Sequence, residues 1–380
     1  MTATQDRIRH LGQLVAEQDV IVCSGSGGVG KTTTAAVIAL EGARQGRKAV
    51  VVTIDPAKRL ADTLGISSLS NTAARIEGDW SGELWALMLD TKSTFDDLIA
   101  TYASDAAQVE RILGNRFYRN ISGALSGTQE YMAGEKLYEL HELGAETPEG
   151  TRTRFDLVVV DTPPTRNALD FLDASRRLTN FLDHRLYRML MAPTRAYLKA
   201  VNVAAQAFLR TVGKVVGGEV LDDALAFFTA FEGMEEGFRE RATSVRTLLG
   251  APSTSFVLVA SPRRDTVQEA TFFAEKLVSS ELSVAALVVN RMHPTFGPGT
   301  SGADRARAGT LAGTSIGSLY ANLADFRDMA EGEERHLAGL ARSVAPAPVV
   351  RVPFLAQDVH DLRTLDQIAD HLFVRSERTP

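Results

Sequence analysis

The stretch GSGGVGKTT at residues 25–33 constrains the fold most, because it joins an apolar run to a helical stretch through a glycine-rich turn. Glycines let backbone N–H groups turn inward as an anion nest, and the helix N-terminus adds the positive end of its dipole. In this pattern Lys31 supplies a mobile cation for the outer phosphates, and Thr32 offers a hydroxyl to Mg²⁺. We therefore predict a phosphate-binding loop with these contact residues: Gly27, Gly28, Val29, Gly30, Lys31, Thr32 and Thr33.

Ser26 stands where the deviant form of this motif, GKGGxGKT, carries a second lysine. In that form the lysine reaches across a dimer to the nucleotide of the partner. The glycine spacing and the run of three threonines typical of the deviant form remain in this chain. The sequence therefore predicts a phosphate loop without the cation that acts in trans.

The composition is that of a globular protein with a large core: 380 residues, 44% apolar and 23% charged. The formal net charge of −6, with scattered Lys and Arg, offers no broad basic field. Nucleic acid is therefore not expected as a main partner. Cys23 is the only cysteine, so one chain can build neither a disulfide nor a thiolate zinc site, and no zinc is expected.

The chain shows no pattern of a membrane protein. The first 19 residues have charges spread through them and lack the apolar core of a signal peptide, and no run of about 18 uncharged apolar residues follows. We therefore expect no integral membrane segment and a cytoplasmic location.

Apolar, β-branched runs recur along the chain with helical segments between them, which predicts an α/β fold. Nearly continuous hydrophobicity suits strands buried on both faces of a doubly wound, mostly parallel sheet, the P-loop NTPase architecture. The predicted strands are 19–24, 48–54, 84–89, 157–160, 255–260, 284–290 and 348–352.

Two long blocks interrupt this alternation, at residues 91–149 and 165–249, with apolar residues at helical spacing. We predict that residues 1–380 form a single P-loop domain and that the two blocks make a helical subdomain inserted in it. The Gly-, Thr- and Ser-rich stretch 294–315 predicts a mobile loop, and a charged helix is expected at about 322–342.

Two acidic residues follow predicted strands. Asp55, in VTIDPAKRL, falls at the sheet edge where ligands bind in open α/β folds, and an acid there can orient or deprotonate an attacking water. An Asp-Pro pair at a strand end is also a common turn and helix cap. Asp161, after FDLVVV, is the expected Mg²⁺ ligand together with Thr32. We predict Asp55 and Lys31 as catalytic residues, and Thr32 and Asp161 as the metal site.

The base of a nucleotide has candidate contacts near the ends of two later strands. Asn290 and Arg291, in VVNRMHP, fall near the expected adenine position, and Pro353 and Phe354, in VPFLAQDV, offer a purine wall. The chain has no NKxD motif, which argues against guanine. Ordinary loop residues are the alternative interpretation for all four.

These motifs, in this order, resemble the ArsA-type ATPases, which include bacterial arsenite-pump ATPases and the ATPases that deliver tail-anchored membrane proteins, within the MinD and ParA class. The resemblance implies ATP and Mg²⁺ as cofactors, a dimer, water activation by Asp55, Mg²⁺ binding by Asp161, and base contacts from Asn290 and the region around Pro353. It rests on GSGGVGKTT, TIDPAKRL, SGTQEYMAGEKLYEL, DTPPTRNAL, VVNR and VPFLAQDV.

This chain departs from that pattern at three points: Ser26 replaces the cross-dimer lysine, no CxxC is present for a bridging zinc, and no cysteine trio is present for arsenite. It looks most like the ArsA-like proteins of actinobacteria that occur as a pair, one with the lysine and one without. A heterodimer with a lysine-bearing paralogue is therefore expected more than a homodimer.

Three functions are compatible with these residues: an ATP-hydrolysing switch for a protein or membrane client, an ATP-binding regulatory subunit with little hydrolysis, and a small-molecule phosphotransferase or ligase. Apolar clusters in the helical blocks suit a client groove, but at helical spacing such residues more often form the core of a bundle. These clusters are Tyr187, Met189, Leu190 and Met191, and Phe227, Phe228, Phe231 and Met234.

Overall fold

The computed structural model describes residues 11–54, 59–66, 68–121, 128–148, 150–163, 170–183, 218–359 and 361–373. The chain divides into two compact units. The first unit comprises Met1–Met88, Gly144–Leu169 and Pro252–Pro380. The second comprises Leu89–Leu143 and Asp170–Ala251.

The first unit is built on an eight-stranded sheet with the order β10-β9-β8-β1-β7-β2-β4-β3. All neighbouring strands are parallel except β3, which pairs antiparallel with β4 at one edge. This confirms the predicted mostly parallel α/β sheet. The strands are β1 (Val20–Ser24), β2 (Lys48–Thr53), β3 (Ala74–Ile76), β4 (Glu83–Met88), β5 (Ala145–Glu146), β6 (Arg152–Thr153), β7 (Leu157–Asp161), β8 (Thr254–Ala260), β9 (Val284–Met292) and β10 (Val349–Pro353), of which β5 and β6 form a separate hairpin.

The helices of the described residues are numbered here in chain order. They are α1 (Lys31–Arg44), α2 (Arg59–Leu64), α3 (Thr91–Tyr102), α4 (Ala106–Leu113), α5 (Arg116–Ile121), α6 (Thr128–Tyr138), α7 (Asp170–Asp183), α8 (Gly218–Ala230), α9 (Glu235–Leu249), α10 (Arg264–Ser279), α11 (Ser301–Thr310), α12 (Ser315–Ser343) and α13 (Leu362–Leu372). A π-helical turn at Glu139–Leu143 extends α6. Within the described residues, no helix combines the length and the apolar character needed to cross a membrane.

The core of the first unit lies between the sheet and α1. Ile21 and Cys23, two alternate residues of β1, belong to one buried cluster with Val37 and Ile38 of α1 and Leu372 of α13. Helices α10 and α12 contact β8 and β9. Strands covered by helices on both faces are largely apolar, which is why nearly continuous hydrophobic runs predicted them.

The described residues of the second unit form helices α3 to α9, and their core is aromatic. Phe238 packs against Phe95 and Phe231, with ring centroids 6.2 and 4.9 Å apart. Phe227, Phe231 and Met234 are buried in this core. Three members of one cluster that we considered as a client groove are therefore core residues. The other cluster, residues 187–191, lies outside the described residues.

The prediction of an irregular loop at residues 294–315 is wrong for Ser301–Thr310, which forms α11, and α12 begins at Ser315 rather than near 322. Thr300 and Thr314 cap the two helices by accepting hydrogen bonds from backbone N–H groups. Arg327 fixes the preceding turn, because its guanidinium donates to the carbonyls of Gly297 and Pro298 at 3.2 and 3.1 Å.

Candidate functional site

The glycine-rich loop adopts a backbone that only glycine accommodates at two points. Gly30 has φ 96°, and a Cβ there would lie 2.2 Å from the Nδ2 atom of Asn290. Gly25 ends β1 beside the next strand, and a Cβ there would lie 2.0 Å from the carbonyl oxygen of Val259. The loop is therefore pressed against the carboxyl ends of β8 and β9 before it enters α1 at Lys31.

Lys31 is buried inside this loop. Its side chain is 6% exposed, and Nζ donates to the carbonyl oxygen of Ser26 at 2.8 Å. One turn later, Thr34 donates from its hydroxyl to the carbonyl of Gly30 at 2.9 Å. These contacts hold the ammonium group and the first turn of α1 close to the backbone amides that precede them.

Asp161 lies at the carboxyl end of β7 and joins the loop to the sheet. Its Oδ2 atom accepts hydrogen bonds from the Thr32 hydroxyl at 2.7 Å and from the Thr53 hydroxyl at 3.0 Å. The parallel register explains the meeting, since Asp161 is the direct neighbour of Cys23 on β1 and of Thr53 on β2. A hydroxyl and a carboxylate at this distance form a hard-oxygen pair, which fits Mg²⁺.

The neighbourhood of Asp161 is buried on the strand side. Burial raises the pKa of the Cys23 thiol far above its usual range, and the negative charge of Asp161 raises it further while Lys31 opposes this. The thiol is therefore protonated and packs as a small apolar group. Thr162 follows and donates from its backbone N–H and from its hydroxyl to the carbonyl of Cys23, at 3.2 and 2.9 Å.

Asn290 lies near the end of β9, where its side chain contacts the glycine-rich loop. Its Nδ2 donates to the carbonyl oxygen of Val29 at 2.9 Å. Its Oδ1 accepts from the backbone N–H of Arg291, also at 2.9 Å. Arg291 itself is exposed, with φ 63°.

Pro353 and Phe354, at the end of β10, lie beside a cavity of about 530 Å³ that Met292, His293 and Pro353 help to line. Phe354 is 61% exposed and stacks on the His293 ring, with centroids 6.4 Å apart. The backbone N–H of Phe354 donates to the carbonyl of Met292 at 2.8 Å. Contact of Pro353 and Phe354 with the base of a nucleotide stays a prediction, and this cavity beside the end of β9 is where the base would lie.

Asp55, the predicted catalytic acid, lies outside the described residues. The residue before it, Ile54, is buried, and its N–H donates to the carbonyl of Asp161 at 3.3 Å. The structure therefore brings Thr32, Asp161 and Asn290 together at the glycine-rich loop. Ile54, the residue before Asp55, is hydrogen-bonded to Asp161.

Sequence reasoning missed Thr53. The available signal was a hydroxyl residue closing an otherwise apolar strand, two positions before an acid that we had already selected. The parallel pairing of β2 with β7, which places Thr53 beside Asp161, was needed to give that hydroxyl a partner.

Comparison with known proteins shows the family of this chain. A family model described as anion-transporting ATPase matches residues 18–296. The ATPase get3 of Aspergillus terreus is 24% identical over 357 residues, which cover 93% of this chain and 89% of that protein. The matched region includes β1, the glycine-rich loop, Asp161 and Asn290. The chain therefore belongs to the anion-transporting ATPase family, the ArsA-type P-loop ATPases that its motifs resemble.

Proposed function

We propose that this chain binds Mg·ATP in the glycine-rich loop, hydrolyses it, and works as a dimeric nucleotide switch for a protein or membrane client. One observation carries the proposal. Lys31, Thr32 and Asp161 meet at the carboxyl edge of a parallel sheet, with the Thr32 hydroxyl 2.7 Å from the Asp161 carboxylate. In P-loop NTPases the loop supplies a lysine and a hydroxyl, and a neighbouring strand supplies the acid that helps to hold Mg²⁺.

Each group has a separate task in this mechanism. Lys31 leaves the Ser26 carbonyl and neutralises charge on the outer phosphates, while the loop amides hold the remaining oxygens. Thr32 and Asp161 would hold Mg²⁺, which neutralises charge that develops on the phosphates. Asp55 positions or deprotonates the attacking water, because it follows the strand that ends next to Asp161.

Client coupling is proposed through the helical unit. Its two segments leave the first unit after β4 and after β7, two strands that end at the edge where the phosphates bind, and they return before β5 and before β8. A change in the residues after β7 on loss of the γ-phosphate would reach the helices through the second of these connections. The relative named ATPase get3 is consistent with an ATP-driven cycle.

The experiment that tests hydrolysis uses Asp55→Asn. The variant should keep its affinity for Mg·ATP in calorimetry and lose most phosphate release, since the lost interaction acts on the reaction step and not on the ground state. Asp62→Asn is the matched control, because Asp62 is an exposed residue in the first turn of α2, and this variant should hydrolyse ATP normally. Unchanged turnover in Asp55→Asn would move the base elsewhere.

A second candidate is an ATP-binding subunit that hydrolyses little by itself. Ser26 favours it, because the loop lacks the second lysine of the deviant motif. Phosphate release measured on the chain alone, with a lysine-bearing paralogue, and with small metabolites separates an intrinsic ATPase, a dependent subunit and a phosphotransferase.

A further inference from the structure

Asn290 reaches the phosphate loop across an intervening strand. In the sheet β9 is next to β8, and β8 is next to β1, which leads into the loop. The loop crosses over the end of β8, where Gly25 approaches the carbonyl of Val259, and continues to Val29. There the Nδ2 atom of Asn290 donates to the Val29 carbonyl oxygen at 2.9 Å.

Both ends of the Asn290 amide are engaged by backbone groups. The Oδ1 atom accepts from the N–H of Arg291, which leaves Nδ2 facing Val29. The two bonds together fix the orientation of the amide, since exchanging oxygen and nitrogen would break both. Gly30 allows the approach, because a Cβ at this position would collide with Nδ2 at 2.2 Å.

The position of this bond decides where a loop amide points. In a trans peptide the C=O and the N–H lie in one plane and point in opposite directions. With the Val29 carbonyl directed at Asn290, the N–H of Gly30 points away from Asn290. Val29 is itself anchored, because its side chain is 1% exposed in the core under α1. The Val29–Gly30 peptide is therefore held by the packing of the Val29 side chain and by the hydrogen bond from Asn290 to the Val29 carbonyl.

We propose that Asn290 is a positioning residue of the phosphate loop, which fixes the Val29–Gly30 peptide so that its N–H is preset for a phosphate oxygen. This rests on the proposed function, since it concerns the same loop. It differs from a base contact in one respect. A tether contributes equally to every ligand that carries the polyphosphate, whereas a base contact contributes only to ligands that carry the base.

The test compares Mg²⁺-loaded ATP, GTP and inorganic tripolyphosphate as ligands of wild type, Asn290→Ala and Asn290→Asp. Asn290→Asp keeps the size of the side chain and the acceptor for Arg291, but it replaces the donor with an oxygen that faces the Val29 carbonyl. In Asn290→Ala, one lost hydrogen bond predicts a dissociation constant raised by about 3- to 10-fold, by the same factor for all three ligands. Asn290→Asp also places a negative charge beside the loop, so its dissociation constants should rise further for all three ligands. Asn322→Ala, on the exposed face of α12, should change none of them.

Hydrogen exchange on the ligand-free protein gives a second readout. In both Asn290 variants the amides of residues 25–33 should exchange faster than in wild type, while those of β8 and α10 keep their protection. A loss confined to ATP, or unchanged tripolyphosphate affinity and loop exchange, would overturn the tether. Failure of wild type to bind any of the three ligands would instead overturn the proposed function, and the exchange measurement would still judge the tether.

Discussion

Lys31 donates from Nζ to the carbonyl oxygen of Ser26, five residues earlier in the same loop, at 2.8 Å. The ammonium group is thereby kept within the turn that would surround a polyphosphate, although its stem is almost fully buried. A phosphate oxygen that replaces this carbonyl gives the ammonium group a charged acceptor in place of a neutral one, so the Coulombic attraction between two opposite charges is added to the hydrogen bond.

Lys31→Ala should therefore abolish measurable affinity for Mg·ATP in calorimetry. Several phosphate charges would then face the loop amides without a cation. The control is Lys276→Ala, since Lys276 lies on the exposed face of α10. Normal binding by Lys31→Ala would remove the nucleotide from this loop.

Thr53→Val tests the hydroxyl that shares Oδ2 of Asp161 with Thr32. Groups that orient a metal ligand contribute about tenfold to metal affinity, so the Mg²⁺ concentration that half-saturates nucleotide binding should rise about tenfold. Thr53→Ser keeps the hydroxyl and should restore the wild-type midpoint. A fluorescent ATP analogue titrated with Mg²⁺ gives the measurement, and identical midpoints for Val and Thr would exclude this role.

The strands of the sheet were predictable because their physical signal is local. Parallel strands covered by helices on both faces need apolar side chains along most of their length, and β1, β2 and β7 show this in their central residues. The phosphate loop was predictable for the same reason, since its glycines, Lys31 and Thr32 are adjacent in sequence.

Long-range contacts could not be predicted in this way. Residues 294–315 have the composition of a loop, but Arg327, on α12, binds the carbonyls before α11. The contact of Asn290 with Val29 spans 261 positions, and it gave the asparagine a partner that no motif suggests. In both cases a polar side chain binds a backbone carbonyl that is distant in sequence, and only the arrangement of strands and helices brings the two groups together.

Arg327→Ala should destabilise the α11 region strongly. Arg327 Nε lies 2.8 Å from Asp304 Oδ2, and both side chains are buried, so the variant leaves the buried carboxylate with only the exposed Arg307, whose Nη1 atom lies 3.7 Å from Asp304 Oδ1. Removal of one partner of a buried pair costs about 3–5 kcal/mol. Urea unfolding should show this loss, with faster proteolysis of residues 294–315 in native buffer.

The matched control for Arg327 is Arg305→Ala. Arg305 also lies in this region and pairs with Asp325 and Asp328, but its side chain is 54% exposed. Exposed pairs contribute about 0–1 kcal/mol. Equal losses in the two variants would mean that burial of the Arg327 pair is not what orders this segment.

Glu135, in the core of the helical unit, predicts a dependence of stability on pH. Burial raises its pKa to about 7, while the nearby Arg241 opposes the shift and Glu139 adds to it. Arg241 Nε lies 2.8 Å from Glu135 Oε1. The folded state therefore holds a proton on Glu135 that the unfolded chain has released, so the free energy of unfolding falls as pH rises from about 4.5 to 7.

Glu135→Gln should remove this contribution. The difference in unfolding free energy, variant minus wild type, should shift in favour of the variant by on the order of 2 kcal/mol between pH 5 and pH 8, because one pKa unit corresponds to about 1.4 kcal/mol. Urea unfolding at both pH values checks it. A difference that stays constant with pH would show that the Arg241 pairing keeps Glu135 ionised throughout.

Ser26 predicts a slow enzyme when the chain is alone. Its side chain is 6% exposed, and within the described residues its hydroxyl has no hydrogen-bond partner. A cation supplied in trans to a transferring phosphoryl group contributes on the order of 10³ to 10⁵ in rate where it is an arginine finger. Two copies of this chain lack the equivalent lysine at both sites, so both sites of a homodimer should turn over slowly.

A lysine-bearing paralogue would change this result asymmetrically. Its lysine would reach the nucleotide held by this chain, whereas its own nucleotide would face Ser26, which gives one fast site and one slow site.

Phosphate release should rise strongly when the paralogue is added, and Ser26→Lys alone should also accelerate this chain. A lysine can extend its charge from a buried stem, so the substitution is compatible with the loop. If the chain alone matches every mixture, and Ser26→Lys changes nothing, the cation comes from another residue, such as Lys58 or Arg166, which lie outside the described residues.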